Sequence, residues 1–254
     1  MRTDGILDEA LADTAPAAGR ESAVRLALLY PELLGTYGDG GNALVLAKRL
    51  EWRGIPCEVV TVEAGDTVPD SCDLYLLGGG EDGPQTEASR ELIRRRSVHR
   101  AVERGAVVFA VCAGYQLLGT SFYAKGAECT GLGLLDLRSD RGETRAVGEL
   151  AGPVDPVLSV PPLTGFENHG GRTHLGPAAK PLVSVQVGIG NDGNTEGAWA
   201  GKLLGTYAHG PALARNPALA DLLVGWAVGS PLPPADDSWP DRLRAERLSA
   251  VGMR

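Results

Sequence analysis

The 254-residue chain predicts an α/β fold in which a mostly parallel central sheet is covered by helices on both faces. Two patterns predict it. Apolar runs of strand length alternate with stretches whose apolar residues recur at helical spacing. Gly-rich and polar motifs fall where those runs end, which is where parallel sheets carry their sites.

The first run, Val24 to Tyr30, leads into a Gly-rich loop and then into Ala43 to Arg53 at helical spacing, a β-loop-α start. Cys57 to Val62 offers a short β-branched strand, and Asp73 to Leu77 another that ends in Gly78, Gly79 and Gly80. Gln85 to Glu103 is helical in composition with a break expected near Ser97, and Val107 to Val111 supplies the next strand. From Lys125 to Gly205 short apolar segments alternate with Gly and Pro turns, which predicts a β-rich extension of the same sheet. Asn216 to Val228 restores a helix, with Asn216 as N-cap and Pro217 at its first position. Pro231 to Pro234 reads as a linker, and Asp236 to Leu248 carries cap and charge signals for a last helix. The expected organisation is a loose tail over residues 1–20, one domain over 21–230, and a linker and helix over 231–254.

Composition bounds the function. With 43% hydrophobic and 22% charged residues the chain is an ordinary globular protein. A net charge of -8 argues against a general nucleic-acid or membrane-surface binder, since phosphate-rich partners need a clustered basic face. The run Arg94-Arg95-Arg96 lies in a mixed-charge helical stretch and reads as a solvated helix face. No segment approaches the ~20 apolar residues of a membrane span, and the first twenty residues lack the apolar core of a secretion signal. Cys57, Cys72, Cys112 and Cys129 are widely spaced, with no C-x-x-C pair or Cys/His ligand pattern, so the expectation is a cytoplasmic protein without a metal site.

Chemistry concentrates at three places. In Gly105 to Gly119 an apolar strand runs into Cys112 and then into small residues that can start a helix, the layout of a nucleophile elbow. The helix N-terminus and the amide of Ala113 are expected to lower the thiol pKa and help hold an oxyanion. The bland alternative is a core thiol. Far downstream, Leu204 to Pro211 delivers His209 to a Gly-Pro loop, and a distant Cys/His pair is how a thiol nucleophile and its general base are usually arranged. The third place is Gly78-Gly79-Gly80-Glu81-Asp82, whose glycines let backbone amides approach a ligand. Gly78, Gly80 and Gly83 match G-x-G-x-x-G, but Glu81 and Asp82 would repel a pyrophosphate there, as Asp39 would in Gly38-Asp39-Gly40-Gly41.

These residues resemble the class I, triad-type glutamine amidotransferases of the cobyric acid synthase-like branch, whose elbow is similar to Val111-Cys112-Ala113-Gly114-Tyr115-Gln116. More narrowly, the chain is similar to the GatD group, the glutaminase subunits of MurT/GatD lipid II isoglutaminyl synthases. Thr36-Tyr37-Gly38-Asp39 with Asn42, Leu77 to Asp82, and Gly165-Phe166-Glu167-Asn168-His169-Gly170-Gly171-Arg172-Thr173 carry that resemblance. It implies a three-layer fold of the class I type, a Cys112 thiolate that attacks the glutamine carboxamide, and His209 handling the protons. It also implies an oxyanion held by the amides of Gly79 and Ala113. Gln116 is expected beside the substrate pocket. Arg145 is expected to grip the substrate α-carboxylate, with Arg141 and Arg172 as competitors.

The wider class places a glutamate two residues after the histidine, where this chain has Pro211. The resemblance therefore implies an orienting acid missing in cis and lent by a MurT-like partner of the Mur-ligase family. That partner would bind ATP and Mg²⁺, activate the α-carboxyl of D-glutamate in the lipid II stem peptide, and accept the ammonia. No cofactor is expected in this chain, which has no G-x-x-x-x-G-K-[ST] phosphate loop. Rival expectations are a cobyric acid synthase-like amidotransferase with another acceptor, a cysteine hydrolase of similar fold, and a catalytically silent scaffold subunit.

Overall fold

The computed structural model describes residues 22–253. The tail expected over residues 1–20 lies outside them. The chain runs β1 (Val24–Leu29), α1 (Gly41–Glu51), β2 (Cys57–Val62), β3 (Leu74–Leu77), α2 (Asp82–Arg95), α3 (Ser97–Glu103), β4 (Val107–Val111) and α4 (Ala113–Leu117). Next come β5 (Ser121–Ala124), β6 (Ala127–Thr130), β7 (Leu137–Gly152), β8 (Leu163–Leu175), β9 (Val183–Ser184), β10 (Thr195–Glu196), β11 (Ala198–Ala200) and β12 (Leu203–Thr206). Helices α5 (Ala212–Arg215), α6 (Pro217–Val228) and α7 (Ser238–Ala250) close the order.

The central sheet has the order β11-β12-β4-β3-β1-β2, parallel except for β11. Strands β3, β4 and β12 are buried at every position, so the unbroken apolar runs of β3 and β4 and the short β12 have helices or loops on both sides. At the edge, half of the β2 residues are exposed and only Val62 is buried. From β1 the chain steps outward through α1 to β2, then returns and steps the other way from β3 through α2 and α3 to β4. Right-handed crossovers in opposite directions put α1 and the α2–α3 pair on opposite faces. The order reverses between β1 and β3, and the crevice outside their carboxyl ends is where such a sheet binds ligands.

The helix break expected near Ser97 falls at Arg96, the left-handed residue (φ 51) between α2 and α3. Asn216 does precede α6 with Pro217 at its first turn, but its side chain makes no cap bond. Its amide instead holds Thr164 N–H and donates to the carbonyls of Thr164 and Ala212, tying β8 to α5.

The segment from Lys125 to Gly205 departs from expectation. It does not extend the central sheet until β11; its longest strands join β5 in a separate four-stranded sheet of order β6-β5-β7-β8. Strands β7 and β8 are 16 and 13 residues long and pair antiparallel from Leu137↔Leu175 to Gly152↔Leu163, with an irregularity between Arg141 and Ala146. Glycines that read as turns let this ribbon lie against the main domain. A Cβ on Gly165 would stand 2.4 Å from the Ala208 Cβ, and Phe166 exchanges both backbone bonds with His209 (2.8 and 3.1 Å).

The linker before α7 is fastened. Arg49 pairs with Asp221 (2.5 Å) and Asp237 (2.7 Å), while Arg53 reaches Asp221 (2.7 Å) and the Pro233 carbonyl (2.8 Å). Both guanidinium groups are buried, and each finds carboxylate partners that offset its desolvation.

Candidate active site

Cys112 sits at φ 53, ψ -107, between the end of β4 and the start of α4. That strained turn is the nucleophile elbow the sequence predicts. Gly114 permits it, since a Cβ there would meet the Leu77 Cβ at 2.7 Å and the Gly78 carbonyl oxygen at 2.9 Å. The thiol pKa moves opposite to expectation, pushed up to about 12. Burial is the main cause and the Asp39 carboxylate the next, while the Ala113 N–H and the Arg145 charge act in the other direction. Helix α4 has only five residues, too short a dipole to outweigh the loss of water.

His209 lies three residues beyond β12, whose Thr206 pairs with Val111 of β4, and Cys112 N–H donates to the Thr206 carbonyl (2.8 Å). The thiol and imidazole thus leave the same end of adjacent strands. His209 Nδ1 is 3.1 Å from both oxygens of Asp39, whose side chain is fully buried. A carboxylate only accepts, so Nδ1 carries the proton and Nε2 keeps its lone pair. Nε2 is buried and has no hydrogen-bond partner among the described residues. The sequence expectation of no acid in cis beside the histidine differs from the structure in one respect: a carboxylate does stand against His209, that of Asp39 in the loop after β1, and not at position 211. In the sequence Asp39 stands out as an obstacle to phosphate and as part of the Thr36-to-Asp39 motif, with no sign of its place beside His209.

Asp39 Oδ2 also accepts the Gly79 N–H at 2.9 Å, so that amide is already engaged, in contrast to its expected role toward an oxyanion. A Cβ at Gly79 would lie 2.9 Å from His209 Cε1 and 3.1 Å from Asp39 Oδ2, which accounts for a glycine under the imidazole. The neighbouring Gly80 lines the cavity, and its N–H has no partner among the described residues. The Ala113 N–H lies against the Cys112 sulfur.

A cavity of about 600 Å³ opens on Cys112 and is lined by Tyr37, Glu81, Gln116, Arg145, Asn168 and His169 among others. Gln116 donates to the Tyr207 hydroxyl (3.1 Å) and accepts from the Gln85 amide (2.8 Å). Arg145 donates through Nε to Asn168 Oδ1 (2.6 Å) and through Nη2 to the Tyr37 hydroxyl (3.0 Å), which donates to Glu81 Oε1 (3.0 Å). Of its two competitors, Arg141 lines the cavity, whereas Arg172 donates to the backbone carbonyls of Gly171 and Thr144. His169 is fixed between Glu167 (3.0 Å) and the Gly171 carbonyl (3.0 Å), with its ring stacked 3.7 Å from Tyr207. Glu167 takes the Ile189 and Gly190 amides as well, and although burial opposes it, these bonds hold its carboxyl below the usual carboxylate range.

Among the described residues no group of three His, Cys, Asp or Glu side chains is placed to hold a metal ion, and no helix is long and apolar enough to cross a membrane.

An elbow thiol, a carboxylate-oriented histidine just beyond the next strand and a glycine-lined cavity define a glutamine amidotransferase of the triad type, and residues 25–217 match the CobB/CobQ-like glutamine amidotransferase domain; the chain belongs to that family. Within it the chain falls in the GatD group. It is 34% identical to the lipid II isoglutaminyl synthase (glutamine-hydrolysing) subunit GatD of Staphylococcus aureus strain N315, over 75% of this chain and 79% of that one. The same subunit from Streptococcus pneumoniae R6 is also 34% identical, over 81% of this chain and 80% of that one. Cobyric acid synthase of Pelotomaculum thermopropionicum is 30% identical over 85% of this chain, which spans only 41% of that protein. A solved glutamine amidotransferase superposes with a TM-score of 0.57 at 19% identity, covering 81% of this chain and all of that one. A glutamine amidotransferase from Thermotoga maritima gives 0.54 at 15% identity, covering 91% and 99%; both are similarities of fold.

Proposed function

We propose that this chain is the glutaminase subunit of a lipid II isoglutaminyl synthase, hydrolysing L-glutamine through a thioester on Cys112 and passing the ammonia to a MurT-like ligase subunit. The observation that carries the mechanism is the Asp39–His209 pair at the end of the strand next to the Cys112 elbow.

Because the thiol is neutral at rest, attack on the carboxamide needs a proton acceptor, and the lone pair left on His209 Nε2 is that acceptor. Sulfur bonds to the amide carbon, and the oxyanion is met by the amides of Ala113 and Gly80. His209 then gives its proton to the departing ammonia, which leaves a γ-glutamyl thioester. Water, deprotonated by the same imidazole, adds to the thioester carbon; the C–S bond breaks, glutamate leaves, and the sulfur takes the proton back from the imidazolium. Asp39 holds the tautomer throughout and stabilises the imidazolium. Gln116 borders the amide end of the pocket, and Arg145 binds the α-carboxylate.

The acceptor reading rests on the GatD relatives, whose names specify lipid II and a subunit. ATP and Mg²⁺ are assigned to the partner, which would activate the D-glutamate α-carboxyl of the stem peptide. The test is co-purification with a Mur-ligase-like protein, followed by mass analysis of lipid II incubated with ATP and glutamine. Conversion of one carboxyl to a carboxamide supports the proposal. Robust glutamine hydrolysis with unmodified lipid II would assign the chain to another acceptor.

A further inference from the structure

We propose that Glu81 recognises the α-ammonium of glutamine, so that Glu81 and Arg145, joined through the Tyr37 hydroxyl, form one receptor for the charged end of the substrate. This rests on the glutaminase reading and goes beyond it by naming what selects an amino acid over any other primary amide.

One phenol oxygen lies 3.0 Å from Arg145 Nη2 and 3.0 Å from Glu81 Oε1. A cation and an anion are thereby fixed on two sides of a single atom, which matches a substrate carbon that carries a carboxylate and an ammonium. All three side chains line the cavity that contains Cys112. Each charged group keeps capacity in hand. Arg145 Nη1 and Glu81 Oε2 make no hydrogen bond within the described residues.

The backbone position of Glu81 strengthens the assignment. It is the N-cap residue of α2, extended at φ -84 and ψ 163, where a carboxylate would ordinarily accept a helix amide. It makes no such cap bond, and its carboxylate goes to Tyr37 instead. Tyr37 in turn places its ring 4.8 Å from that of His209, so the hydroxyl that joins the charged pair is carried on a ring packed against the general base. Burial and Glu81 raise the Tyr37 pKa, which keeps the hydroxyl protonated as the donor this arrangement requires.

A simpler role for Glu81 is to position Tyr37 and Arg145. The two roles separate with glutaramate, which is glutamine without its α-amino group. Binding is measured by calorimetry in a Cys112→Ser background, so that no turnover is needed. With Glu81 intact, glutamine is expected to bind about 10–100-fold more tightly than glutaramate, the range for a charge-assisted hydrogen bond to an ammonium. In Glu81→Gln the preference is expected to fall to within about 3-fold through weaker glutamine binding, with glutaramate little changed. Arg145→Met should weaken both ligands and spare 4-aminobutanamide, which lacks the carboxylate. An unchanged preference in Glu81→Gln, or equal loss of both ligands, would overturn the inference. Selective binding together with no glutamate release by the unmodified chain, alone or with its partner, would instead overturn the glutaminase reading and leave the receptor standing.

Discussion

Asp39 and His209 are 170 positions apart in sequence, yet both carboxylate oxygens of Asp39 stand 3.1 Å from His209 Nδ1. The contact closes a hydrogen-bonded unit across the switch point of the central sheet, from the loop after β1 to the loop after β12. It places a carboxylate beside the imidazole within the chain that carries the thiol.

Asp39→Asn is therefore expected to lower glutaminase kcat about 10²–10⁴-fold, because an amide can hold the wrong imidazole tautomer and cannot stabilise the imidazolium. Steady-state glutamate release, with and without the ligase partner, checks this. Full activity of Asp39→Asn in the complex would mean that the acid is supplied by the partner after all.

The same substitution should act in the opposite direction on thiol reactivity. Asp39 is the second largest cause of the raised Cys112 pKa, so removing its charge favours the thiolate. Iodoacetamide labelling of Cys112 in the unmodified chain is expected to climb between about pH 7 and 10 without levelling. In Asp39→Asn labelling should be faster at each pH. Peptide-level mass spectrometry separates it from Cys57 and Cys129, which are only partly buried. A plateau below neutrality would contradict a buried, neutral thiol.

Glu196 supplies a stability test. Its carboxyl is fully buried, accepts from the Thr206 hydroxyl and the Tyr207 N–H (2.8 Å), and has one oxygen without a partner among the described residues. Burial pushes its pKa from 4.5 to about 7. A carboxyl raised on folding stabilises fully below 4.5, and that contribution is lost as pH rises through about 7. The gap corresponds to about 3 kcal/mol. Glu196→Gln cannot ionise, so its Tm relative to the parent chain should rise between pH 5 and 8. A pH-independent difference would show that Glu196 does not titrate in that window.

Gly205 of β12 faces the elbow helix, where an added Cβ would stand 2.0 Å from Tyr115 Cδ2. Gly205→Ala should cost about 1–3 kcal/mol through overpacking. Because the contact joins the strand that delivers His209 to the helix that follows Cys112, kcat should fall in the folded variant too. Thermal unfolding and turnover measured on the same preparation check both. A variant of unchanged stability would contradict the packing.

Much of this was legible in the sequence. The apolar runs of β3 and β4 announce buried parallel strands because helices cover both sides, and the small residues after Cys112 announce the elbow because little else fits beside Leu77 and Gly78. Three features were not legible, for different reasons. Asp39 sits in a Gly-rich loop whose local pattern is that of any polar turn, and only the sheet order brings it to His209. The β7–β8 ribbon is hidden because its strands carry Gly148, Gly165, Gly170 and Gly171, which read as turns, although Gly165 and Gly171 instead serve close approach to Ala208 and Gln116. The thiol pKa is not legible either, because sequence reveals a helix start but not its length or the depth of burial.

The central claim is that Cys112, served by His209, carries the glutamyl group. Rapid acid quenching of the unmodified chain with glutamine, followed by peptide mass spectrometry, tests it most directly. The account predicts one γ-glutamyl group on Cys112, absent when His209 is replaced by Asn. Continued glutamate release with Cys112 unmodified, or undiminished release by Cys112→Ala, would contradict it.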